Sequence, residues 1–90
     1  MIQLKQNLLL AEKAETLYVL DIDSGRVHSF NLTAKVIFQL CLQPIEFDEL
    51  VSEFLGYFPI DPAEATEDIR QILELLGQYD LLADAGRRDG

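Results

Sequence analysis

The sequence predicts a small α+β domain of winged-helix-like type, with an N-terminal three-stranded antiparallel sheet followed by three helices. Residues 17–30, LYVLDIDSGRVHSF, hold two alternating apolar runs on either side of a turn. At Asn31 the apolar period changes from two to about 3.6 and stays there. Ninety residues leave room for one core only, because a chain of this size buries about 60–68% of its unfolded surface. We expect the domain over residues 1–82 and a flexible C-terminal tail over 83–90, where the composition turns polar and glycine-containing.

Leu4 to Ala11 reads as a weak first strand and the polar EKAET after it as a turn. From Leu17 to Ile22 the chain sets Leu17, Val19 and Asp21 on one face and Tyr18, Leu20 and Ile22 on the other. Asp23-Ser24-Gly25 supplies turn chemistry: a carboxylate able to bond onward N–H groups, and a glycine for a position of positive φ. Arg26 to Phe30 is the return strand, and His28 reads as a surface residue opposite the Tyr18 strand.

Asn31 is a favoured N-cap, and Val36, Ile37, Leu40 and Cys41 follow as an apolar stripe that ends at Gln43-Pro44. Phe47 to about Tyr57 is a second, short helix, built on Leu50, Val51, Phe54 and Leu55. The third starts most clearly: Asp61 as N-cap, Pro62 at the first position, and Glu64 placed for a capping box. It runs to about Gln78. With Ile69 at 0° and 100° per residue, its apolar residues from Leu75 round to Leu73 cover about 160°, wider than one core usually takes.

The charge of −9, from 16 acids and 7 bases, disfavours phosphate-backbone and anionic-membrane binding. No apolar run approaches the length of a membrane-spanning helix, and the N-terminus carries no cleavable-signal pattern, so a mature, cytoplasmic chain is expected. One cysteine and one histidine do not complete a metal site, and Cys41, between Leu40 and Leu42, reads as a small buried hydrophobe. There is no phosphate loop, no nucleophile elbow and no histidine pair. The helix carboxylates, Asp68 among them, read as solvated faces. We expect no enzyme activity, no metal and no cofactor.

The runs GRVHSFNLTAKVIFQL, FDELVSEFL and EDIRQILELL, with Leu81-Leu82 after them, resemble the PqqD-like family, the leader-peptide-binding RiPP recognition elements. Gly25, Phe30-Asn31, Thr33-Ala34, Ile37, Glu49-Leu50, Phe54, Asp68-Ile69, Ile72-Leu73, Leu76 and Leu81-Leu82 carry the likeness. Leu42-Gln43-Pro44 and Glu46 depart from it. The resemblance implies a non-catalytic peptide chaperone. It would take the leader of a ribosomally made precursor as an added antiparallel strand and present it to a radical SAM enzyme, cyclodehydratase or leader peptidase. The implied site joins the edge residues Arg26, Val27, His28, Ser29 and Phe30 to a groove floored by Ile72, Leu75 and Tyr79. An unpaired strand edge suits such a visitor.

Two other readings stand beside this one. In a winged-helix DNA-binding regulator the third helix would enter the major groove, yet from Asp61 to Asp80 it carries six acids against Arg70 alone. A structural or dimerisation subunit would cover Leu75 and Tyr79 with a second copy. Phe30 is equally the residue that anchors the sheet on the first helix.

Overall fold

A computed structural model describes residues 1–83 of the chain; of the tail expected over 83–90, residues 84–90 lie outside the described residues. The order is β1 (Leu8–Lys13), β2 (Thr16–Asp21), β3 (Arg26–Phe30), α1 (Leu32–Leu40), α2 (Phe47–Leu55) and α3 (Pro62–Gln78). The strands form one antiparallel sheet in sequence order, so β1 and β3 are its edges.

The first strand lies later than expected. Asn7 adopts φ 65°, which ends any extended run through Leu4, and β1 begins at Leu8. Its hairpin to β2 is tight: Lys13 pairs with Thr16, and only Ala14 and Glu15, with Ala14 at φ 56°, make the turn. The expected turn over EKAET therefore shrinks to its middle. The second turn is as anticipated, with Gly25 at φ 76° donating its N–H to the Asp21 carbonyl at 2.8 Å. Ser24 Oγ accepts from Arg26 N–H at 3.2 Å and tightens it.

Leu17 and Val19 point inward from β2 and are fully buried, while Tyr18 faces out, as the alternation requires. Phe30 joins them, and its ring lies 5.5 Å from that of Phe38 on α1. Leu50 and Phe54 of α2 and Ala65, Ile69 and Leu76 of α3 complete the core. Burying each large side chain contributes about 1.5–3 kcal/mol. The outer sheet face is uncovered among the described residues, with Leu9, Tyr18 and Val27 exposed.

Helix starts follow local chemistry. Asn31 Oδ1 accepts from Ala34 N–H at 3.0 Å. At α2, Glu46 occupies the cap, and the Glu49 carboxylate reaches back to its N–H at 3.4 Å, so the departure at Glu46 leaves the helix start intact. Asp61 makes no side-chain cap bond, contrary to the expected capping box; Pro62 at the first position holds that start. Cys41 is buried as expected, and burial pushes its thiol up to about 11.

The N-terminal segment has its own partners. Ile2 exchanges main-chain bonds of 2.7 and 3.0 Å with Ile45. Lys5 N–H donates to Leu81 at 2.9 Å, and Ala83 N–H donates to Gln3 at 2.7 Å. Lys5 Nζ then reaches Asp21 Oδ1 at 2.9 Å and Asp23 at 3.2 Å, pinning the segment to the β2–β3 turn. Asp21 is only 3% exposed. The hydrogen bond from Lys5 holds its carboxyl below the usual aspartate range, and the Asp21 carboxylate in turn raises Lys5 above the usual lysine value.

The pair thus stabilises the fold between the two titrations. The Asp21 contribution is fully present above about pH 4, the ordinary aspartate value, and is lost as pH falls through its depressed folded value. The Lys5 contribution is present below the ordinary lysine value and is lost as pH rises through its raised one. In urea unfolding, Asp21→Asn should lower stability at pH 7 and lose less than the wild type on acidification from pH 5 to pH 3.

Candidate strand-docking groove

The two turns fix which main-chain groups of β3 are free. In an antiparallel ladder, opposed residues alternate between pairs that exchange both bonds and pairs that exchange none. The bond from Gly25 N–H to Asp21, in a glycine bulge, makes Asp21–Arg26 a bonded pair. Val19–His28 and Leu17–Phe30 are then bonded as well. The two-residue turn at Ala14-Glu15 leads to the same phase from the other side, since it commits Thr16, Tyr18 and Leu20 to β1. Val27 and Ser29 are left with N–H and C=O groups directed away from β2, and no strand pairs with them among the described residues.

The side chains alternate in the opposite sense. Val27, 65% exposed, lies on the outer face, whereas His28 and Phe30 face α3. Contrary to the expected surface position, His28 is half-buried: its ring stacks on Tyr79 with centroids 4.4 Å apart, and its Nε2 is buried without a hydrogen-bond partner. The cause is register, because pairing with fully buried Val19 carries His28 to the inner face. Phe30 is 3% exposed and belongs to the core. Arg26 is exposed and has no carboxylate within ion-pair distance among the described residues.

Opposite β3 stands α3. No Cα of one lies within 8 Å of a Cα of the other, so side chains alone bridge the gap. Ile72 and Leu75 are half-buried against the core, and Tyr79, just past the helix end, is 36% exposed. The arc beyond the core-facing Ile69 and Leu76 thus borders the groove, as the wide apolar wheel indicates. At the other end of the groove, Asn31, Thr33, Asp68, Gln71 and Ile72 line a cleft of about 240 Å³.

The sequence reads Asn31 as a helix cap and Asp68 as solvated, and it assigns none of Asp68, Asn31, Thr33 and Gln71 to the groove. Asp68 is half-buried rather than solvated. The signal was present: on the same wheel Asp68 falls at about 260°, between Leu75 and Ile72.

A larger cleft, about 400 Å³, lies near the opposite edge, lined by residues 3–8 with Leu10, Leu42 and Pro44. We favour β3 on chemical grounds. Along β1 itself, Glu12 is tied to α1 by Lys35 and Gln39, both at 2.8 Å, and a charge at an edge discourages pairing. The Lys35 hydrogen bond holds the Glu12 carboxyl below its usual range.

Among the described residues no group of three or more His, Cys, Asp or Glu side chains is placed to hold a metal, and no helix is long and apolar enough to cross a membrane. The sequence pattern of the family described as Coenzyme PQQ synthesis protein D (PqqD) matches residues 16–82. No curated protein matches this chain significantly. Two solved structures share its fold. TbiB1, in complex with the TbiA(beta) leader peptide, is 18% identical with a TM-score of 0.81, over 97% of this chain and 99% of that one. A lasso peptide synthetase B1 complexed with the leader peptide is 20% identical with a TM-score of 0.76, over 91% and 96%.

Core and groove wall should separate by mutation. Phe30→Ala should cost about 3–5 kcal/mol in urea unfolding, as removal of a buried ring does. Tyr79→Ala should cost only about 1 kcal/mol, the scale of a lost aromatic stack.

Proposed function

The chain belongs to the PqqD family, and from that premise we propose that it is a peptide chaperone for the leader of a ribosomally made precursor. The leader adds as an antiparallel strand beside β3, and the protein presents it to a modifying enzyme. The observation that carries this reading is the edge at Val27 and Ser29, free among the described residues, beside an α3 whose Cα atoms all lie more than 8 Å from those of β3. Both similar solved structures contain leader peptides, which supports it further.

Four main-chain bonds, at about 1 kcal/mol net each, supply roughly 4 kcal/mol. Alone that is about millimolar affinity, before the ordering of the peptide is counted. Useful binding therefore depends on side chains entering the groove, where His28, Ile72, Leu75 and Tyr79 select for apolar or aromatic residues. Arg26 borders one end of the edge. Phe30 contributes its main chain to the sheet and its ring to the core, so its part in binding is indirect.

We assign the protein no catalytic step of its own. Cys41 is buried with its thiol titrating at about 11, far from a reactive thiolate at neutral pH. The modifying partner falls in the class of radical SAM enzymes, cyclodehydratases or leader peptidases. We place the work in the cytoplasm, where precursor peptides leave the ribosome. Duplex DNA is disfavoured as a ligand because α3 presents carboxylates where a recognition helix needs cations.

Proline substitution tests strand addition directly. Proline is tolerated in an edge strand where the lost N–H points outward. Val27→Pro should keep the fold and weaken binding of a candidate leader peptide at least tenfold, whereas His28→Pro breaks a bond to β2 and should destabilise the sheet. In the wild type, NMR titration should shift the amides of residues 26–30 and of α3. Undiminished binding by a folded Val27→Pro protein would contradict the proposal.

A further inference from the structure

The groove has two chemically different ends. At one, His28 stacks on Tyr79, with the half-buried Leu75 one turn earlier in the chain. At the other, Asn31, Thr33, Asp68 and Gln71 surround a small cleft that keeps Ile72 as its apolar side. Asp68 is half-buried there, and no hydrogen bond or ion pair engages its carboxylate among the described residues. The one cation nearby in sequence, Arg70, is turned to Glu67 at 3.3 Å, and the Gln71 amide also donates to Glu67 at 3.3 Å. Asn31 Oδ1 is already engaged by Ala34 N–H.

A half-buried carboxylate without a partner, on a chain of charge −9, is a place where an incoming cation gains most. Granted strand addition at β3, on which the subsite depends, we infer that this cleft receives a lysine or arginine side chain of the leader. Its position in the leader comes from the geometry. Tyr79 stacks on His28 while Asp68 shares a cleft with Asn31 and Thr33, so α3 runs opposite to β3. An antiparallel visitor passes its N-terminal half over the Phe30–Asn31 end. The basic residue therefore precedes the apolar anchor set against His28 and Tyr79. At strand rise, with every second side chain facing the groove, the separation is about four residues.

A random peptide library displayed against the immobilised protein tests this without a known leader. Three proteins are compared: the wild type, Asp68→Asn, and Glu64→Gln, which removes an exposed α3 carboxylate outside the cleft. Selected peptides are then titrated into labelled protein to see whether β3 amides shift. We expect peptides that shift β3 to carry Lys or Arg about four residues before an apolar anchor. Their affinity should fall about fivefold on Asp68→Asn and stay unchanged on Glu64→Gln. Peptides that shift β3 but show no basic preference at that spacing, or that respond equally to both variants, would overturn the subsite and leave strand addition standing. A library that yields no peptide shifting β3 would sink strand addition, and the subsite with it.

Discussion

Among the described residues, the vacancy beside β3 depends on where the chain's first segment goes. A ninety-residue domain with an extended N-terminus has an obvious way to satisfy its last strand, by laying that segment along it. Instead the segment pairs with Ile45 and with residues 81–83, and Lys5 fixes it to Asp21 and Asp23 at the β2–β3 turn. Each end of the described chain satisfies the other. With Leu4 and Leu81 buried between them, neither is available to cap the sheet.

From that constraint the groove arises without further devices. Two tight turns, one at Ala14-Glu15 and one at Gly25, set the same hydrogen-bonding phase across the sheet and leave Val27 and Ser29 facing outward. The third helix is long enough to bury Ala65, Ile69 and Leu76 in the core and still offer Ile72, Leu75 and Asp68 to the gap. On the proposed reading, backbone groups make the edge receptive to any strand and discrimination rests with the helix, at its polar end as much as at its apolar one.

Much of this was readable in the sequence, for identifiable reasons. The strand alternation from Leu17, the glycine turn and the Asn31 cap are local signals, and each matches the structure. So does the span of α3, from Pro62 to Gln78. What escaped was long-range. Nothing local says that Leu4 leaves the first strand to meet Leu82, since Asn7 reveals its positive φ only in the folded chain. The inward face of His28 depends on a register set by turns several residues away. Asp61 shows the reverse case: its cap signal is strong in sequence and unused in the structure, because Pro62 already fixes the start. Asp68 was read as solvated because a charged residue on a helix defaults to solvent, although the wheel set it among apolar neighbours.

The unoccupied edge itself is best tested by amide hydrogen exchange in the free protein. We expect Val27 and Ser29, whose N–H groups point to solvent, to exchange at least an order of magnitude faster than His28 and Phe30, whose N–H groups bond to β2. Comparable protection at all four positions in the free monomer would mean that something already pairs with this edge, and a docking role for it would be contradicted.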